Sequence, residues 1–138
     1  MKKVYVEING MVTADGETDT MNYSTEGRLC KKSGKYYIQY TEGELMGGGE
    51  CRTTIKVNPA GIVTMLRSGA SNTQMIFEAG RSHISCYETD FGNLTVNVTA
   101  GEVNIDMDDD GGSVDIDYNL SINNLTNSRN HVNVRVRS

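Results

Sequence analysis

Apolar and polar residues alternate one by one through most of this chain, and that period confines it to β-structure. Val4, Val6 and Ile8 alternate with Tyr5, Glu7 and Asn9, and Leu94, Val96 and Val98 with Thr95, Asn97 and Thr99. Val103, Ile105 and Met107 follow the same rule, as do Val114, Ile116, Tyr118, Leu120 and Ile122, and finally Val132, Val134 and Val136. Successive strand residues point to opposite faces, so such a pattern buries one face and wets the other. No window sustains the i, i+3, i+4 spacing of an amphipathic helix. The chain is predicted to be all-β.

Turn signals punctuate the strands at short intervals. They are Ala14-Asp15-Gly16-Glu17, Lys32-Ser33-Gly34-Lys35, Asn58-Pro59-Ala60-Gly61, Ala79-Gly80-Arg81-Ser82, Thr89-Asp90-Phe91-Gly92 and Asp110-Gly111-Gly112-Ser113. Each supplies Gly, Asn or Asp where a hairpin needs positive φ. Leu45–Glu50, with three consecutive glycines, reads as a flexible loop, and Ser68–Asn72 as a second. Counting between these signals gives about eight to ten strands joined as a meander of hairpins. A sheet of that size must hide or remove its edges. Alternation stays one-sided through both terminal strands, 2–13 and 130–137. Pairing of these two would join first strand to last, so the expectation is a single antiparallel meander β-barrel.

At 138 residues the chain is expected to form a single domain, 1–138, with one core. Its net charge of −5 argues against a general affinity for nucleic acid, which is built on a basic footprint. Arg129, Arg135 and Arg137 form a basic tail, but their alternation with Val134 and Val136 reads as the solvent face of a strand. Apolar runs are too short to span a bilayer as a helix, and no apolar signal core follows Lys2 and Lys3, so neither membrane insertion nor secretion is indicated. Cys30, Cys51 and Cys86 are odd in number and widely spaced, which favours free thiols in a reducing cytoplasm.

The middle of the chain carries a resemblance. Met65-Leu66-Arg67-Ser68-Gly69, then Met75-Ile76-Phe77 with Gly80, then Tyr87-Glu88-Thr89-Asp90-Phe91-Gly92-Asn93-Leu94 resemble the YwiB-like family of small, uncharacterised bacterial proteins. Val114-Asp115-Ile116-Asp117-Tyr118-Asn119-Leu120 is similar to that family's Tyr-x-Leu strand. The distinctive motifs lie within residues 62–122. The resemblance implies a calycin-like (lipocalin-like) β-barrel in the bacterial cytoplasm. It implies no activity, cofactor or catalytic residue.

Candidate chemistry is sparse. Asp106-Met107-Asp108-Asp109-Asp110-Gly111 matches the start of a calcium loop, with Asp106, Asp108 and Asp110 as ligands and Asp117 at the closing position. The closing ligand is ordinarily Glu and the flanks of such a loop are helices, so a charged hairpin turn explains the same residues. His83 and His131 have no Cys-x-x-Cys pair or helical His partner for zinc. Cys86 and His83 are three apart, on opposite faces of one strand, so they do not form a nucleophile and base. No nucleophile elbow or phosphate loop occurs. The chain is therefore expected to be no enzyme and to need no cofactor.

Recognition is a better prospect. Tyr36 and Tyr40 share a strand face with Ile38, Tyr23 with Met21 and Leu29, and Tyr118 with Ile116 and Leu120. Tyr87 lies within the family-like run. Inward tyrosines either fill a core or line a cavity, and a barrel of about eight strands is just wide enough for either. Arg67 follows the parity of Val63 and Met65, so its guanidinium should point inward and need an anionic or carbonyl partner. A structural role, pinning the barrel end to Glu78 or Glu88, is the plainer alternative. Two readings follow: a barrel binding a small, largely apolar ligand with an anionic end near Arg67, or a solid-cored interaction module, potentially a homodimer.

Overall fold

The computed structural model describes residues 2–42, 51–69, 72–89 and 92–138, and the side chains of these except 42 and 86–89. The expected Leu45–Glu50 loop, and residues 90 and 91 of the expected turn before Gly92, lie outside the described residues. Among the described residues there are ten strands: β1 Lys2–Ala14, β2 Glu17–Lys32, β3 Lys35–Glu42, β4 Cys51–Asn58 and β5 Ile62–Gly69. They are followed by β6 Thr73–Glu78, β7 Ser82–Thr89, β8 Gly92–Asp108, β9 Gly111–Ile122 and β10 Thr126–Arg137. All belong to one antiparallel sheet in the order β6-β5-β4-β3-β2-β1-β10-β9-β8-β7, a meander apart from the β1–β10 join.

That join is the pairing expected from the two terminal strands. Tyr5 stands opposite Arg137, Val6 opposite Val136 and Ile8 opposite Val134. The two free edges nevertheless remain. They fall mid-chain, at β6 and β7, so the barrel is nearly closed and its seam lies between strands adjacent in sequence.

Local chemistry accounts for the hairpins. Asp15 and Gly16, with φ of 52° and 78°, and Ser33 and Gly34, with φ of 54° and 77°, form two-residue turns with both central residues left-handed. This turn geometry matches the twist of the flanking strands. After β4, the Asn58 carbonyl accepts from Gly61 N at 2.9 Å while its side chain accepts from Ala60 N at 3.0 Å. Gly112, at φ 140°, packs so closely against Asp106 and Met107 of β8 that a Cβ would overlap their backbone.

Through the middle of the strands, every second residue fills the interior. Val4, Val6, Ile38, Ile55, Val57, Val63, Phe77, Val98, Val114, Ile116 and Val134 are almost fully buried. Phe77 of β6 crosses to Tyr118 of β9, with ring centroids 4.8 Å apart and planes tilted by 58°. This tilted geometry is a favoured aromatic arrangement, and it anchors a strand that has a ladder on one side only.

Candidate functional site

The seam is closed at one end and open at the other. At the end carrying the chain termini, the β6–β7 turn is stitched to β8: Gly80 N donates to Ala100 O at 2.9 Å, and Ala100 N to Arg81 O at 3.4 Å. Glu78 adds a clamp, reaching His83 at 3.1 Å and Arg81 at 3.5 Å. Towards the other end the strands part, leaving a cleft of about 530 Å³ lined by Leu66, Arg67, Thr73, Gln74, Ile76 and Ile84, with Asn72 and Ser85 completing it.

The polarity of β7 explains why the cleft has an apolar rim. Ile84 lies opposite Asn97 and is 68% exposed, while His83 and Ser85 stand opposite the inward-facing Val98 and Val96. Leu66 and Ile76 also sit on the outer parity of their strands, opposite Thr54 and Thr64. Three aliphatic side chains thus flank the opening. Leu66, the outward aliphatic residue of β5, is exposed beside this gap.

Behind the rim lies a polar row. Tyr40 stands opposite Thr53, Thr53 opposite Arg67, and Arg67 opposite Thr73, across four neighbouring strands. Directly opposed side chains are about 5 Å apart, so these four form one continuous inward rung. Tyr40 and Thr53 are buried, Arg67 is half-buried with its Nε sealed from solvent, and Thr53 Oγ1 has no hydrogen-bond partner among the described residues. Thr53 is the residue that sequence reasoning missed. It interrupts the apolar parity of Cys51, Ile55 and Val57, and that interruption was the available signal. The six-residue length of β6 was another, since short strands commonly guard sheet edges.

Of the sequence-selected residues whose side chains are described, Arg67 alone lines the cleft, and Tyr40 joins it through the rung. Tyr23, Tyr36 and Tyr118 also take the inward parity, but at other heights. Tyr23 donates its hydroxyl to Thr41 O at 3.1 Å, and Tyr36 to Asp109 Oδ1 at 3.1 Å, while Tyr118 lies on Phe77. They do not line one cavity. The side chain of Tyr87 lies outside the described residues, as do those of Cys86 and Glu88. Met21, placed on Tyr23's face, is half-exposed where β2 has β1 on one side but no β3 partner among the described residues.

The acidic run forms a strapped turn. Lys2 Nζ is 2.6 Å from Asp110, Lys31 Nζ is 3.6 Å from Asp109, and Asp108 accepts from Asp110 N at 2.8 Å. The Lys2 hydrogen bond and charge hold the Asp110 carboxyl below its ordinary pKa. Asp117 is instead on the β9–β10 surface, 2.6 Å from His131 Nδ1, with Asp115 2.8 Å from Nε2. Among the described residues no group of three or more His, Cys, Asp or Glu is arranged to hold a metal. Asp106, Asp108, Asp110 and Asp117 do not converge because Asp117 lies well up the strand from the turn.

A meander barrel of ten antiparallel strands among the described residues, parted along one seam beside a mixed apolar and cationic cleft, defines a small β-barrel protein with an open seam. The chain belongs to the family described as a domain of unknown function (DUF1934), whose model matches residues 6–134. It is similar to the uncharacterized β-barrel protein YwiB of Bacillus subtilis strain 168, with 27% identity over 119 residues, 86% of this chain and 82% of that protein. The crystal structure of the ywiB protein from Bacillus subtilis matches with a TM-score of 0.86 at 24% identity, covering 99% of this chain and 91% of the other. The resemblance carried by residues 62–122 therefore holds over nearly the whole chain. No helix among the described residues is long and apolar enough to cross a membrane.

Proposed function

We propose that this protein is a non-enzymatic barrel that takes a small, largely apolar ligand through the β6–β7 seam and holds its anionic end at Arg67. The observation that carries the reading is the cleft itself. Leu66, Ile76 and Ile84 offer apolar walls and Arg67 a guanidinium at the base, in a volume of about 530 Å³. Small-molecule sites are typically concave and mostly apolar, with a few placed polar groups, in roughly 300–1,000 Å³. This is a calycin-like mode of binding with the entrance moved from the barrel mouth to its side.

Supporting the non-enzymatic part, both histidines are engaged by carboxylates, His83 by Glu78 and His131 by Asp115 and Asp117. Cys30 and Cys51 are free thiols, in keeping with a cytoplasmic protein. Neither nucleic acid nor membrane insertion enters the proposal.

Laurate and the uncharged dodecanol are the test ligands, followed by NMR at Leu66, Ile76 and Ile84. Laurate should bind at the cleft, and Arg67→Met should weaken it about tenfold or more, the worth of a charge-assisted hydrogen bond. Dodecanol should be insensitive to that change, and Arg67→Lys should retain part of the laurate affinity. Absence of any shift at the cleft with either probe, in native protein of verified fold, sinks the proposal.

A second reading, a solid-cored module that dimerises, is favoured by one feature. The β2–β3 ladder begins at Gly27, so Glu17–Glu26 has no β3 partner among the described residues. Unpaired strand edges invite pairing with a second copy. Light scattering decides this reading; a monomer at every concentration removes it.

A further inference from the structure

We infer a second binding site, on the outside of the barrel, for a phosphorylated small molecule carrying a diphosphate-like head. The outer wall of a barrel is ordinarily convex, yet the outer face of β1–β4 holds a depression of about 560 Å³. Gly27 accounts for the dent. It is buried, and a Cβ there would come within 2.6 Å of Gln39 O and 2.8 Å of Val6 Cγ2. Only a residue without a side chain lets β2 sink this far towards the core, while its neighbours Glu26 and Arg28 project outward at the rim.

The walls of the depression are cationic in a protein whose net charge is −5. Lys3, Arg28 and Arg52 line it, and Glu26 is its one carboxylate among the described residues. Lys3 engages Glu26 at 3.3 Å. Arg28 and Arg52 have no carboxylate within ion-pair distance among the described residues. Lys3 and Arg28 also stand directly opposite each other across the β1–β2 ladder, a like-charge pairing that works against sheet stability. A ligand-binding role accounts for keeping it.

The register sets the shape of the ligand. Arg28 pairs with Gln39 of β3, and Arg52 with Thr41 of the same strand, so the two arginines flank β3 from either side, two residues out of step. Their strands are about 10 Å apart, and long side chains leaning over a concave floor converge on a ligand lying across Gln39 and Thr41. Guanidinium forks match phosphate oxygens in paired hydrogen bonds, and Gln39 and Thr41 add neutral polar contacts. Two forks approaching from opposite sides suit two linked phosphates better than a lone carboxylate.

Inorganic pyrophosphate and ADP, each titrated into isotope-labelled full-length protein, provide the test. Both should shift the amides of Arg28, Gln39 and Thr41 at concentrations up to the millimolar range. Arg28→Met and Arg52→Met should each raise the dissociation constant at least tenfold, whereas Arg129→Met, a cation near the far end of β10, should leave it unchanged. All three side chains point to solvent, so the variants should keep the wild-type circular dichroism, and Arg28→Met should melt no lower than wild type because it relieves the like-charge pairing with Lys3. Absence of shifts with both probes overturns the inference. So does equal weakening by Arg129→Met, which would mean diffuse attraction, and so does tighter binding of a single-stranded oligonucleotide, which would make this face a nucleic-acid surface.

Discussion

Thr53 and Arg67 face each other across the β4–β5 ladder inside the barrel, the hydroxyl fully buried beside the half-buried guanidinium. Thr53 Oγ1 finds no hydrogen-bond partner among the described residues. A buried, unsatisfied hydroxyl is destabilising, so its presence at the inner wall of the proposed site is a cost that ligand contact would offset.

Thr53→Val is therefore expected to stabilise the free protein by about 1 kcal/mol, because it removes the hydroxyl while keeping the branched shape. Urea denaturation measures this. If the hydroxyl contributes to the site, the same variant binds laurate more weakly although it is more stable. A destabilised variant would mean that the hydroxyl is satisfied in solution.

Phe77 contributes more to the seam than its length of strand suggests. It is fully buried, and its contact with Tyr118 ties β6 to β9 across the seam. Phe77→Ala should cost about 3–5 kcal/mol, the usual range for deleting a core aromatic. Hydrogen exchange in 73–78 should accelerate before exchange in β1 and β10, since β6 has only the β5 ladder to hold it. Uniform acceleration along all strands would contradict this view of the seam.

The alternation made the strands and the β1–β10 closure legible, because period two assigns each residue a face and Val4, Val6, Val134 and Val136 all claim the inner one. Arg67 was placed inward on the same ground, and the inward tyrosines likewise. The opening between β6 and β7 was not legible. Where a nearly closed sheet parts depends on twist and stagger accumulated over ten strands, which no local pattern encodes. Ile84 shows the consequence: an aliphatic residue in a strand is expected inside, but beside an open seam it faces out. Stagger also separates Tyr23, Tyr36 and Tyr118 along the barrel, so a shared face did not mean a shared site.

Calcium is expected to leave the melting temperature unchanged at millimolar concentration. Asp110 is already bound by Lys2, Asp109 by Tyr36 and Lys31, and Asp117 by His131. A calcium ion would have to displace these contacts and recruit Asp117 from a different part of the surface. A rise of several degrees on adding calcium, reversed by chelator, would show that the turn rearranges into a site.

The Asp115–His131–Asp117 cluster makes stability depend on pH in a defined direction. His131 is 41% exposed, and the hydrogen bond to Asp117 and the charges of both carboxylates raise its pKa above 6.5, against a smaller opposing effect of partial burial. A group whose folded pKa is raised stabilises the fold most below its unfolded pKa, and that contribution is lost as pH rises through the folded value. Stability from this cluster should therefore be fully present somewhat below pH 6.5 and decline above it, with no further change once the ring is neutral. Both ring nitrogens must carry protons to donate to Asp117 and Asp115 together, so only the imidazolium makes the full set of contacts. Urea midpoints of the native protein and of His131→Gln, compared across pH 5.5 to 9, isolate the effect, with screening by salt expected because the cluster is partly exposed. The difference between the two should shrink with rising pH. A difference that grows instead would mean that His131 enters the fold uncharged.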